Sequence, residues 1–226
     1  MRCRHPLPRP PRLVALVGVD GCGKTTQAHR LTAWLTETGT PALYALNAGG
    51  RRWLGRFAER LGRPAAQQVL GIGGLLVVES VLRGLAIARS LLRARLHHQV
   101  AIMDRYTVCQ YVSIRAHRVL GLKQGPHEKL ARWAYRVFPW PEMTFLLDVD
   151  PTEAYRRIEA RGTDHESLEF LIAATQAYRE LPEAADFMAI DANPGPDEVT
   201  RAILAAFTGA SGRGKSMVPP RAPSEP

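Results

Sequence analysis

The segment Leu13-Val14-Ala15-Leu16-Val17-Gly18-Val19-Asp20-Gly21-Cys22-Gly23-Lys24-Thr25-Thr26 constrains the fold more than any other stretch of the chain. A short, β-prone apolar run enters a glycine-rich turn and meets Lys-Thr-Thr at the start of a helical pattern. Gly18 to Thr25 fits G-x-x-x-x-G-K-[ST], set between strand and helix as a phosphate-binding loop requires. Glycines at 21 and 23 let successive N–H groups turn inward around phosphate oxygens, and the helix that follows points its positive end at the same place. Lys24 would add a point charge at the β- and γ-phosphates, and Thr25 would offer its hydroxyl to Mg²⁺. The pattern implies a bound nucleoside triphosphate.

Downstream, short apolar runs alternate with longer helical patterns, the mark of a parallel sheet covered by helices. The expected strands are Leu13–Val17, Ala42–Leu46, Val100–Met103, Thr144–Val149 and Phe187–Ile190. Each is too short for a helix and apolar enough to be buried on both faces. Helices are expected at Lys24–Thr38, Ala65–Leu96, Thr107–Val119, His127–Phe138, Pro151–Arg161 and Ser167–Leu181, with a last one after Pro196. The fold class is therefore α/β, a three-layer P-loop fold whose five-stranded parallel sheet is flanked by helices. In such sheets ligands sit beyond the carboxyl ends of the strands. Asp20, Asn47 to Arg52, Asp104-Arg105-Tyr106, Asp148 to Asp150 and Asp191 to Asn193 stand there.

Asp104-Arg105 closes a buried strand and delivers both charges to the ligand edge. Asp104 can hold a metal-bound water, since Mg²⁺ keeps several waters and takes one or two carboxylates. Arg105 can fork onto an acceptor phosphate. A purely local Asp–Arg ion pair is the alternative.

Several segments, in order, resemble the thymidylate kinases over most of residues 13–207. Gly18 to Thr26 is similar to that family's phosphate loop, including Asp20, and Asp104-Arg105-Tyr106 to its Asp-Arg-aromatic motif. Thr144 to Pro151 and Arg157 to Gly162 resemble the strand and helix leading into the lid. His165 to Phe170 with Tyr178 to Leu181 resembles the helix after it. Ile190-Asp191-Ala192-Asn193 and Pro196 to Val199 resemble the closing strand, loop and helix. The resemblance implies transfer of the γ-phosphoryl group of ATP, with Mg²⁺, to a nucleoside monophosphate, most often dTMP. It assigns ATP binding to Gly18, Val19, Asp20, Gly21, Cys22, Gly23, Lys24, Thr25, Thr26, Arg161 and Asn193, with Arg161 lying against the adenine. It assigns the acceptor to Asp20, Arg83, Asp104 and Arg105, catalysis to Lys24, Asp20 and Arg105, and the metal to Thr25 and Asp104. It also implies a homodimer face on the long Ala65–Leu96 helix, with which burial inside the monomer competes.

The departures are as specific as the matches. After Arg161-Gly162 the usual Asp-Arg pair is replaced by Thr163-Asp164-His165-Glu166, and Gly21 stands where the other subtype carries a loop arginine. Arg156 or Arg157 could serve instead; the alternative is that both are exposed helix charges. The acceptor segment is Leu46-Asn47-Ala48-Gly49-Gly50-Arg51-Arg52, and the base-stacking phenylalanine is lost among Val77, Val78 and Glu79. These changes keep two alternatives open: a P-loop kinase of another small acceptor, and a nucleotide-binding regulatory protein with little turnover.

The formal charge of +9 invites a nucleic-acid reading, but its location does not support one. Arg2, Arg4, Arg9 and Arg12, with Arg213, Lys215 and Arg221 against Glu225, place +6 of it in the terminal segments. The expected organisation is a disordered basic tail at 1–11, a kinase domain at 12–208, and a second disordered Pro/Gly/Ser-rich basic tail at 209–226. Specific nucleic-acid binding is not expected. Cys3, Cys22 and Cys109 form neither a metal spacing nor an even disulfide set, which points to a reducing cytoplasm. Glu79, Arg83 and Arg89 interrupt the apolar run Gly71–Leu92, so it reads as a long helix buried on most sides rather than a membrane span. His97-His98 has no third ligand at zinc spacing.

Overall fold

Each of the five apolar runs forms a strand: β1 (Leu13–Val17), β2 (Ala42–Leu46), β3 (Val100–Asp104), β4 (Met143–Asp148) and β5 (Phe187–Asp191). They pair in parallel in the order β2-β3-β1-β4-β5. The computed structural model describes residues 12–47, 66–121, 126–162 and 166–212. The helices in those spans are α1 (Lys24–Glu37), α2 (Ala66–Leu96), α3 (Thr107–Val119), α4 (His127–Tyr135), α5 (Pro151–Arg161), α6 (Leu168–Arg179) and α7 (Pro196–Gly212).

Burial follows position in the sheet. Every residue of β1 and β3 is buried, whereas the outer strands β2 and β5 keep partly exposed positions. Central parallel strands covered on both faces need this uninterrupted apolar character. Helix α1 packs on β1, β2 and β3 and against α7, with Trp34 edge-on to the fully buried Phe207 at 5.9 Å. Helix α3 buries nine of its residues, Thr107 to Ile114 with Ala116, packing on α4 and α6. Register positions the site: Leu16 pairs with Asp104 on one side and Phe145 on the other, so Gly18 and Arg105 leave the same sheet edge.

Some expectations are corrected. Helix α4 stops at Tyr135, because Pro139 disfavours helix at Phe138 before it and Pro141 follows closely. A 3₁₀ helix at Pro182–Asp186 was not anticipated. The last helix runs to Gly212, past the boundary expected at 208. The buried Phe207 holds it to the core, and Thr208 Oγ1 donates back to the Leu204 and Ala205 carbonyls. The basic segments 1–11 and 213–226, with Arg51 and Arg52, lie outside the described residues.

Helix α2 is not buried on most sides. Val77, Val81, Leu85, Leu92 and Leu96 are exposed along it, while Leu76, Ile87 and Ala94 face the core. Among the described residues, no helix is long and apolar enough to cross a membrane. His97 and His98 stand in an exposed turn.

Candidate active site

The phosphate loop leaves the central strand β1 and enters α1 through Gly23, a left-handed N-cap with no side-chain hydrogen bond. Gly18, Gly21 and Gly23 all have positive φ, and no acidic residue occupies the first turn of α1. The first N–H groups of a helix have no intrahelical partner. Here no first-turn carboxylate competes with a bound anion for them, so the helix start has the electrostatics of an anion site. Beneath it, the buried hydroxyl of Tyr178 in α6 lies 3.1 Å from the Gly18 carbonyl and 3.2 Å from Cys109 Sγ. That contact fixes the base of the loop to α6 and α3.

Lys24 is buried. Its ammonium donates to the Val19 carbonyl at 2.6 Å and lies 3.5 Å from both Asp20 Oδ1 and Cys22 Sγ. Burial acts to lower its pKa, and Arg105 adds to that, but Cys22, Asp20 and Asp104 outweigh both and hold the ammonium above its ordinary range. Arg105, in a left-handed conformation at the end of β3, donates to Asp20 Oδ1. Burial alone would raise the Asp20 carboxyl, yet Arg105 and then Lys24 hold it well below the usual carboxylate range. One ionised carboxylate thus sits between two cations at the sheet edge. Such a group can be exchanged for the oxygens of another anion.

Asp104 is 1% exposed. Its Oδ2 accepts from Thr25 Oγ1 at 2.6 Å and from the Tyr44 hydroxyl at 3.2 Å. Burial and the Asp104 charge push the Tyr44 pKa up to about 12, so Tyr44 stays a donor, and its ring stacks on His29 at 3.8 Å. Asp104 Oδ1 is buried without a hydrogen-bond partner among the described residues. A buried carboxylate oxygen left over beside a threonine hydroxyl is a hard donor set of the kind Mg²⁺ takes. Among the described residues, no group of three His, Cys, Asp or Glu side chains could hold a metal.

Next to the end of β2, Arg83 of α2 is 2% exposed. It donates to Glu79 Oε1 at 2.9 Å, to Gln110 Oε1 at 3.1 Å and to the Asn47 carbonyl at 3.3 Å. Asn47, fully buried at the end of β2, donates through Nδ2 to the Arg105 carbonyl at 2.9 Å. Arg83 and Arg105 are therefore tied together through one asparagine. Arg161 is exposed at the last position of α5, and Thr25 and Thr26 are exposed at the start of α1. Asn193 lies in the loop after β5, where its Oδ1 accepts from the Asp150 N–H at 2.9 Å.

The two helix arginines expected to replace a lid arginine are engaged elsewhere. Arg157 donates to the Ala192 and Asn193 carbonyls at 2.9 and 2.8 Å and to Glu153 at 2.7 Å. Arg156 is 70% exposed and paired with Glu153. Replacing Arg157 with alanine frees the loop that carries Asn193. KM for ATP is then expected to rise about threefold to tenfold, with kcat within about threefold of wild type. Steady-state kinetics with varied ATP checks this. A fall in kcat of about 10³-fold at unchanged KM would instead make Arg157 the group that stabilises transferring charge.

A family model described as thymidylate kinase matches residues 16–203. The thymidylate kinase of Cutibacterium acnes is 31% identical over 209 residues, covering 88% of this chain and 98% of that one. That of Bifidobacterium longum subsp. infantis is 32% identical over 208 residues, covering 85% and 84%. The chain belongs to the thymidylate kinase family. A solved structure of deoxyadenosine kinase from M. mycoides superposes with a TM-score of 0.66 at 16% identity, covering 87% of this chain and 99% of that one. That likeness shows the P-loop kinase fold. Membership makes the chain an ATP-dependent nucleoside monophosphate kinase.

Within the family frame, sequence reasoning missed three contributors. Tyr44 reaches the site across the fold and no local pattern marks it; Tyr178 stands in the Tyr178–Leu181 segment read from sequence, but its contact with Gly18 could not be read there. Arg157 as a loop clamp was foreshadowed only by its i, i+4 spacing from Glu153.

Proposed function

We propose that this kinase transfers the γ-phosphoryl group of ATP to dTMP, giving ADP and dTDP. The observation that carries the reading is the convergence of Lys24 and Arg105 on Asp20, between the phosphate loop and the end of β3. The acceptor is itself an anionic phosphate oxygen, so no side chain need remove a proton. The chemistry consists of bringing two polyanions together and neutralising charge between them.

In this scheme the loop amides and Lys24 hold the donor phosphates, and Arg105 holds the acceptor phosphate. Asp20 keeps the two cations apart from each other until the substrates arrive. Arg83, Asp104 and Asp20 complete the acceptor side; Arg161 and Asn193 border the adenine. Thr25, and Asp104 through water, would hold Mg²⁺, which when bound would supply positive charge to the donor phosphates. With Arg156 and Arg157 engaged elsewhere, transition-state charge falls on Lys24 and Arg105.

The exposed apolar stripe of α2 suits a second copy of the chain, in line with the expected homodimer. Cys22 and Cys109 are free and buried, in keeping with a reducing, cytoplasmic setting. The folded domain spans about 12–212. The basic terminal segments are assigned no nucleic-acid target.

ADP release, coupled to NADH oxidation, is expected to depend on added dTMP and on Mg²⁺. Background ATP hydrolysis is expected to be at least about 10²-fold slower, because water lacks the phosphate that Arg105 binds. Stimulation only by a non-nucleotide would move the protein to another acceptor. Tight ATP binding without turnover on any acceptor would make it a regulatory nucleotide sensor.

A further inference from the structure

Helix α1 carries Lys24 at its start, and about one turn further on its Gln27 is 3% exposed. A buried primary amide is costly unless both of its ends find partners. Here both ends do, and on a single element. Gln27 Nε2 donates to the Pro196 carbonyl at 2.9 Å, and Gln27 Oε1 accepts from the Thr200 hydroxyl at 2.8 Å. Pro196 opens α7, and Thr200 lies one turn into it. Arg30 of α1 extends the joint, donating to Thr200 Oγ1 at 2.9 Å and to Asp197 Oδ1 at 2.6 Å. Helix α1 is thus joined to the first turn of α7 by side chains that follow directly on the phosphate loop. The loop between β5 and α7 has a second anchor at its other end, where Arg157 of α5 donates to the Ala192 and Asn193 carbonyls. Only Pro194 and Gly195 separate the two anchors.

We propose that Gln27 is a positioning residue for the donor nucleotide, which sets the span between the phosphate loop and the loop after β5. This rests on the reading that Asn193 borders the adenine. The two ends of ATP are then held by different elements, the phosphates at the β1–α1 loop and the base at the β5–α7 loop. Once one end is bound, the other binds at an effective concentration fixed by how well the span between the two sites is held. A span set before binding spares the base the cost of ordering its own loop. Gln27 lies in the joint between α1 and α7, so it acts through Pro196 and Thr200 rather than on the nucleotide. With the joint cut, the phosphate loop keeps its own geometry, and the contribution of the base falls.

Calorimetric titration with ATP and with inorganic tripolyphosphate, each with Mg²⁺, tests this, because tripolyphosphate offers the phosphates without a base. Wild type is expected to bind ATP the more tightly of the two. Gln27→Leu keeps much of the side-chain volume and removes both hydrogen bonds. Its Kd for ATP is expected to rise about threefold to tenfold, while its Kd for tripolyphosphate stays within about twofold of wild type. Thr200→Val removes the hydroxyl partner of Gln27 and is expected to weaken ATP binding in the same selective way. The double variant is expected to bind ATP within about twofold of Gln27→Leu alone, since both substitutions open one joint. Equal losses for ATP and tripolyphosphate would place the effect in the phosphate loop and overturn the proposal. Should Gln27→Leu fail to fold, Thr200→Val decides by the same comparison. Tighter wild-type binding of ATP, left unchanged in the folded variants, would remove the proposal alone. Equal wild-type affinities for the two ligands would remove the reading that the β5–α7 loop borders the base, and the proposal with it.

Discussion

Lys24→Met is expected to lower kcat/KM by about 10³-fold while shifting the melting temperature by less than about 4 °C. Methionine keeps the length and most of the volume of the lysine stem, so the loop loses charge without losing packing. Two effects on stability oppose each other. The Val19 carbonyl loses its 2.6 Å donor, which costs about 1–3 kcal/mol for a buried acceptor. Against this, methionine can be buried there without the desolvation cost of a charge, and Asp20 keeps Arg105 as its partner. Function has no such compensation. The donor phosphates lose the cation aimed at them in a water-poor site, where a preorganised charge is worth most. Steady-state kinetics and thermal unfolding on one preparation check both halves. A loss of less than tenfold would show that Lys24 does not carry the phosphate charge.

Gly21→Ala is expected to destabilise the protein by about 3 kcal/mol, lowering the melting temperature by roughly 6–12 °C, and to abolish tight ATP binding. At φ +84° an alanine pays about 1–2 kcal/mol for its left-handed backbone. Its Cβ would also stand 2.4 Å from the Ala154 carbonyl oxygen, with the Ala154 backbone carbons at 3.0 Å. The obstacle is main chain in α5, not the end of a flexible side chain, so relief requires moving either the loop or the helix. Gly23→Ala is the control. Its φ is +92°, but its Cβ would meet nothing within 4 Å, so only the backbone term, about 1–2 kcal/mol, is expected. Differential scanning fluorimetry with and without ATP separates the two. Equal melting temperatures for both variants would contradict the packing of α5 on the loop. The same contact explains why no arginine stands at position 21 in this member of the family.

The sheet was legible because its strands are short, apolar on both faces and separated by helix-length spacers. Edges were less so. Asp104 belongs to β3 because it pairs with both Leu16 and Leu46, whereas in sequence a charged residue reads as the end of the strand. Helix α4 was overrun because Tyr135 and Phe138 keep a helical spacing, even though their rings meet at 5.8 Å across the helix end. The phosphate loop and Asp104-Arg105 could be named from sequence because neighbouring residues carry their chemistry. What binds them together could not. Tyr44 on Asp104, Tyr178 on Gly18, and Arg157 on the Ala192–Asn193 loop are contacts between elements 35 to 160 positions apart. The Glu79–Arg83 pair lies between these cases. Its i, i+4 spacing was readable, but its burial against Gln110 and Asn47 required the fold.

The most direct measurement of the central claim follows labelled phosphate. With ATP carrying ³²P at the γ position, Mg²⁺ and dTMP, separation of products by chromatography is expected to show label leaving ATP and appearing in dTDP. One dTDP should form for each ADP, and neither should form with the Lys24→Met protein. Label recovered as inorganic phosphate, or remaining in ATP while dTMP is in excess, would contradict transfer between the two nucleotides.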